Sequence, residues 1–237
     1  MRLAGVAMML PLCLAAACQE VGEQSRRPET SLEFPQADRP VSDITANQFS
    51  TEDVRDSRGE AQKVMDLAEI RAGMTVADIG AGEGYYTVRL AERVGDGGRV
   101  LAQDIDREAL ARLGQRIERE RLDNVSIKLG TPDDPQLPVD SFDRIFLVHM
   151  YHEVTEPYAF LWRLWPALVQ GGQVIVVDTD RPTDQHGIAP LLLSCEFEAV
   201  GYKLVEFVEK PDIRGYFARF ERGEVRREPG EISPCSL

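Results

Sequence analysis

The chain has 237 residues, of which 43% are hydrophobic and 28% charged, with a formal net charge of −13 at pH 7. That length suits one domain able to bury a substantial core without metals or disulfide staples, and the composition is ordinary for a soluble globular protein. The acidic balance argues against a protein that must grip phosphate backbones, because nucleic-acid binders carry a basic footprint.

The first residues read as a targeting signal. Arg2 is a minimal basic region, Leu3 to Leu14 form an apolar one, and Ala15-Ala16-Ala17-Cys18 supplies the small residues of a cleavage site. The apolar run is too short for a spanning helix. Small residues directly before a cysteine resemble a bacterial lipoprotein box. Residues 1–17 are therefore expected to be removed, leaving an exported protein, periplasmic or tethered to the membrane through a lipidated Cys18. If the signal is not used, the protein is cytoplasmic. Residues 18–50 mix Glu, Gln, Arg, Pro and Ser with little periodicity and read as a polar linker. Cys195 and Cys235 lie outside this region; two cysteines are no disulfide framework, and their pairing stays open.

From Thr51 the text becomes helical, with Val54, Val64, Met65, Leu67, Ala68 and Ile70 as its apolar face and Gly73 as its end. An apolar run, residues 74–79, then closes on Asp78-Ile79 and is followed by Gly80-Ala81-Gly82-Glu83-Gly84-Tyr85. A helix pattern starts at once, so the stretch reads as strand, glycine turn, helix, the opening unit of a doubly wound α/β domain. Glycines let such a turn take positive φ and let a ligand approach the backbone. A dinucleotide fingerprint wants its third glycine three residues after the second, where Tyr85 stands here.

The pattern Asp-x-Gly-x-Gly-x-Gly resembles the first motif of class I S-adenosylmethionine (SAM)-dependent methyltransferases. The resemblance implies a Rossmann-like, doubly wound, mostly parallel seven-stranded sheet ending in an antiparallel hairpin. It makes SAM the expected cofactor, with Asp78, Gly80, Ala81, Gly82, Gly84 and Tyr85 lining its site. In this family the leading helix lies over the SAM pocket, which brings Arg55, Asp56 and Glu60 into range of substrate.

The second strand ends at Asp104, twenty positions after Gly84, where the architecture places an acid on the ribose hydroxyls. A carboxylate can accept from both hydroxyls of a cis-diol. Ile105 follows it, and Asp106 is placed to cap the next helix. Val125 to Leu129 form the third strand. The loop after it loosely resembles the family's adenine-binding segment, with Asp133 preferred over Asp134 for the adenine amino group.

The fourth strand runs to His149, and Met150-Tyr151-His152-Glu153-Val154 leaves its carboxyl end. Thr155 is expected to cap a helix that Pro166 bends or interrupts and Gly171-Gly172 stops. Gln173 to Asp178 form the fifth strand. A polar loop with His186, a helix near 188–200 and strands near 202–208 and 215–220 complete residues 51–220, and 221–237 read as a charged tail.

All three histidines fall at the carboxyl ends of strands four and five, the rim where open α/β sheets bind ligands. An alcohol, amine or thiol acceptor must lose a proton on methylation, so His149, His152 and Glu153 are the candidate base and supporting groups. Strand alternation puts His149 on the face of Leu147 and Tyr151. His149, His152, Glu153, Asp178 and Asp180 include metal-ligand types, but no spacing motif fixes them, and no metal is expected. The segment after strand four lacks the Pro-Pro-aromatic motif of enzymes that methylate planar amino nitrogens, and it lacks a cysteine for pyrimidine carbons. A small-molecule or lipid-like acceptor is expected, and no nucleic acid. Two alternatives stay open: a non-catalytic protein that binds a SAM-like ligand, and a nicotinamide-dependent oxidoreductase, which Tyr85 disfavours.

Overall fold

The computed structural model describes residues 27–42, 51–213 and 215–236. The predicted signal and Cys18 lie outside the described residues. Seven strands, β1 (Thr75–Ile79), β2 (Arg99–Asp104), β3 (Val125–Leu129), β4 (Phe142–Val148), β5 (Leu168–Asp178), β6 (Tyr202–Lys210) and β7 (Gly215–Arg222), form one sheet in the order β3-β2-β1-β4-β5-β7-β6. β1 pairs in parallel with β2 and β4, β2 with β3, and β4 with β5. β7 lies antiparallel between β5 and β6, giving the expected C-terminal hairpin. The strand order reverses at β1 and β4, which opens a crevice beyond their carboxyl ends.

Alternating side chains divide the core. On β4, Ile145 and Leu147 join a cluster with α5 (Pro157–Leu164) and α6 (Pro190–Val200). Phe146 joins the opposite cluster, with α2 (Glu60–Leu67) and α3 (Tyr85–Val94), preceded by the short α1 (Glu52–Ser57). β5 repeats the division, with Val174 and Val176 against Ile175 and Val177. This period of two, filled on both faces, is what a central parallel strand requires. Each of these buried aliphatic or aromatic side chains contributes about 1.5–3 kcal/mol. α4 (Arg107–Glu120) covers Ala102 with Leu110 and Leu113, and Asp106 caps it by accepting from the Glu108 N–H.

Three local expectations are corrected. The residue before α5 is Glu156, not Thr155, and Pro157 occupies the first turn without a side-chain cap. The helix stops at Leu164, ahead of Pro166, which interrupts it from within a 3₁₀ turn: proline has no N–H to donate to the carbonyl four residues back. β5 therefore begins at Leu168 and carries Gly171 and Gly172 within it, where its register with β4 shifts.

The stretches read as linker and tail dock on the α5/α6 face. Phe34 is buried there, edge-on to Trp162 at 5.7 Å between ring centroids. Arg27 grips Glu156 through two hydrogen bonds of 2.7 and 2.6 Å. Arg39, buried with Glu196, donates to its carboxylate at 2.7 Å and to the carbonyls of His152 and Val154. At the other end Ile232 and Cys235 are buried, and Cys235 forms a disulfide with Cys195 of α6. Residues 27–42 thus form a strap across the domain. No helix among the described residues is long and apolar enough to cross a membrane.

Candidate active site

The turn Gly80–Gly84 leaves the carboxyl end of β1 and starts α3. It is pinned to β2: the Ala81 N–H donates to the Gln103 carbonyl at 3.0 Å, and the Gly82 N–H to Asp104 Oδ2 at 2.8 Å. Gly82 has φ 54°, and a Cβ built there would meet nothing within 4 Å, so the backbone faces open space. At Gly84 a Cβ would strike Leu113, so this glycine serves the packing of the turn on α4. Gly80 lies against the side chain of Met150.

Asp104 accepts from two backbone donors, Gly82 through Oδ2 and Asp106 through Oδ1 at 2.9 Å. A carboxylate has about four lone-pair sites, so it retains acceptor capacity for a diol. Ile105, 38% exposed, offers an apolar surface beside it. Asp78 lies under the turn. Its burial pushes the carboxyl up to about 6, opposed by the Thr87 hydroxyl that donates to Oδ2 at 2.6 Å.

Tyr85 is held by protein rather than left free for a ligand. Its ring lies between the guanidinium groups of Arg55 and Arg89, 3.7 and 3.9 Å from the centroid, and its hydroxyl donates to Asp56 at 3.0 Å. Burial and that acidic partner raise its pKa. Arg55 also donates to Glu60 Oε1 at 2.6 Å, as does the Tyr86 hydroxyl at 3.2 Å. The leading helices thus form a charged clamp against α3.

His149 joins this clamp. β4 ends at Val148, and His149 takes φ 54°, which breaks the alternation expected of it. Instead of sharing a face with Leu147 and Tyr151, its Nε2 lies 3.7 Å from Glu60 Oε1 on the α2 side. Burial opposes ionisation of Glu60, but His149 and Arg55 hold its carboxyl at about 2. A left-handed histidine costs of order 1–3 kcal/mol and persists only where its surroundings enforce it.

His152 is fully buried and turned the other way. Its Nδ1 lies 2.9 Å from Asp178 Oδ2, at the end of β5. Glu153 is beside it, with burial pushing its carboxyl up. The three candidate groups therefore occupy two environments, the His149 imidazole facing Glu60 of α2 and His152 with Glu153 facing Asp178 at the end of β5.

Asp133, expected to meet the adenine amino group, also has partners within the protein. Thr30 and Ser31 of the strap and Arg163 of α5 all donate to its Oδ2, and Thr131 donates to Oδ1. Three donors crowd Oδ2, while Oδ1 accepts from Thr131 alone and keeps an acceptor site. Asp134 is occupied locally by the Gln136 N–H at 2.7 Å. Arg27, Arg39 and Arg163 were missed as anchors, because each finds its acid more than a hundred residues away or on another element, with no local spacing to mark the pair.

An acid-rich glycine turn at the switch point, an acid ending β2 and a seven-stranded sheet with a reversed last pair have counterparts among known proteins. Residues 76–172 match the family described as "Methyltransferase domain". The matched segment runs from β1 into β5, holds the glycine turn and Asp104, and is similar to methyltransferase domains. Its relatives include the nocamycin O-methyltransferase of Saccharothrix syringae, 34% identical over 103 residues, which cover 44% of this chain and 37% of that protein. The ubiquinone/menaquinone biosynthesis C-methyltransferase UbiE of Methylococcus capsulatus is 30% identical over 172 residues, 70% of this chain and 66% of the relative. The chain thus spans less than two thirds of the length of either.

Among solved structures, a SAM-dependent methyltransferase from Aquifex aeolicus superposes with a TM-score of 0.62 at 24% identity, over 68% of this chain and 87% of that one. The [4+2]-cyclase SpnF reaches 0.63 at 14% identity, over 80% and 89%. Such likeness shows the fold alone; chemistry has to be argued from the site.

Proposed function

We propose that the chain binds SAM over the turn Gly80–Gly84 and transfers its methyl group to a small-molecule or lipid-like acceptor. The observation that carries this reading is the open face of Gly82 beside the unfilled acceptor capacity of Asp104. In the reaction an acceptor nucleophile forms a bond to the methyl carbon, the carbon–sulfur bond breaks, and S-adenosylhomocysteine leaves. A proton on the acceptor passes to a base. Alignment of donor and acceptor accounts for much of the rate, and the base adds about 10²–10⁴-fold. His149 is the preferred base or acceptor-orienting group, because it leaves the carboxyl end of β4 at the switch point and is braced by Glu60. The relatives named for quinone biosynthesis and for nocamycin support an acceptor of small-molecule or lipid-like class.

Export is part of the same proposal. The leader pattern of residues 1–18 supports it, and so does the Cys195–Cys235 disulfide, a bond that persists in oxidising compartments. Thermal-shift titration with SAM, S-adenosylhomocysteine and NAD, followed by turnover on a panel of quinol-type lipids and phenolic small molecules, tests the reading. SAM and its product should stabilise the protein, NAD should not, and methylated product should form. Stabilisation by NAD alone would replace it with an oxidoreductase. SAM binding without turnover on any acceptor would favour the non-catalytic alternative.

A further inference from the structure

His152 and Glu153 follow β4, and His186 lies in the loop after β5, yet their ligand atoms all fall within 4.8 Å of one another. Two further observations make this trio unlike a chance cluster of polar groups. His152 Nε2 and His186 Nδ1 are both buried and, among the described residues, both lack a hydrogen-bond partner. His152 itself is 0% exposed. Such nitrogens are costly unless something takes their lone pairs or protons.

The tautomer of His152 follows from its other side. Asp178 is an acceptor, and its two oxygens lie 3.0 and 2.9 Å from Nδ1, so Nδ1 carries the proton and Nε2 presents a lone pair. That arrangement, a carboxylate behind an imidazole whose far nitrogen points at a common centre, is how metal-binding histidines are oriented. The second histidine is held in place as well. His186 takes φ 54°, its N–H donates to Ser42 Oγ at 3.0 Å, and Ser42 in turn donates to the Thr183 carbonyl. The strap therefore anchors the loop that carries His186.

We propose that His152 Nε2, His186 Nδ1 and Glu153 form a binding site for one divalent transition-metal ion of the zinc class, with Asp178 as the outer partner of His152. Two imidazole nitrogens and one carboxylate suit zinc or ferrous iron and not magnesium or calcium, which take oxygen ligands. Three protein ligands leave a fourth position for water or an oxygen of the acceptor. Ligand atoms around zinc at about 2.1 Å stand about 3.4 Å apart in a tetrahedron. His152 Nε2 and Glu153 Oε1 are 3.9 Å apart, so closure asks for a small side-chain movement. The site shares no residue with the SAM turn, and it does not depend on the methyl-transfer reading.

The test uses the full chain, oxidised so that Cys195 and Cys235 stay paired. After chelator treatment it is titrated with Zn²⁺ against a chromophoric competitor, and with Co²⁺ while visible absorption is recorded. One ion per chain with Kd in the micromolar range or below is expected, with a Co²⁺ spectrum of four-coordinate intensity. Asp178→Asn should weaken Zn²⁺ binding by about 10–100-fold. His186→Gln and Glu153→Gln should each weaken it at least tenfold and abolish the Co²⁺ band, while circular dichroism reports an intact fold. No Zn²⁺ binding by the unmodified chain, or unchanged affinity in both His186→Gln and Glu153→Gln, would overturn the proposal. Because SAM binding is read separately, its loss would leave the metal result interpretable, and the reverse.

Discussion

The hydroxyl of Thr87, in the first helix after the glycine turn, donates across 2.6 Å to Oδ2 of Asp78 at the end of the first strand, and both side chains are buried. One hydrogen bond does not offset the desolvation of the carboxylate, so Asp78 ionises only near pH 6. Its folded pKa lies above the unfolded value of about 3.9. The stability it contributes is therefore fully present below about pH 4 and is lost as pH rises through 6, to a total of about 3 kcal/mol. Asp78→Asn keeps a polar partner for Thr87 and removes the titration. Denaturant unfolding of both proteins at pH 4 and pH 7 should show a variant-minus-parent stability difference that grows with pH. A difference independent of pH would show that Asp78 does not titrate in this window.

The SAM cradle rests on an open glycine and a carboxylate with spare acceptor capacity. Gly82→Val places a branched side chain in the ligand's space at a φ of 54°, and should abolish SAM binding. Asp104→Ala should weaken it by about 1–3 kcal/mol, through lost charged hydrogen bonds and a loosened Gly82 N–H. Calorimetric titration giving full-strength binding in both would remove the cradle from the reading.

His149→Ala should lower turnover by about 10²-fold while leaving SAM affinity nearly intact, as loss of a general base does. Unchanged turnover in His149→Ala and in His152→Ala would exclude proton transfer by either histidine.

Arg39 ties the strap to the domain through a fully buried pair. Arg39→Met leaves Glu196, among the described residues, with the Tyr151 hydroxyl, and should cost about 3–5 kcal/mol in urea unfolding. Adding Glu196→Gln should recover a large part of that, because the uncompensated charge is gone. A double variant as unstable as the single one would place the cost in lost packing and carbonyl contacts.

The Cys195–Cys235 bond closes a loop of 40 residues. Replacing both cysteines with serine, or reducing the bond, should lower stability by about 2–4 kcal/mol. Equal unfolding midpoints with and without reductant would contradict it. Intact mass of the protein isolated from its host should also show a chain beginning at Cys18 if the leader is used, and a full-length cytosolic chain would refute export.

The central strands, the glycine turn and the helix cap at Asp106 were legible because each is written in short-range pattern, whereas the seven-stranded sheet and its terminal hairpin followed from the family resemblance. Alternating apolar residues, glycine spacing and an acid at a strand end act within one or two turns of chain, where geometry follows from sequence distance. The helix end at Leu164 was legible in part: Pro166 marked an interruption, but which residue would stop first depended on the packing of β5. Only the tertiary structure decided that residues 27–42 are a strap, that Asp133 is captured by it, that His149 turns toward Glu60, and that His152 meets His186. Those contacts join residues far apart along the chain, whose partners are chosen by where the sheet brings their elements together. Polar pairs formed at such range follow no period along the chain, so the folded surface, and not the local sequence, selects them.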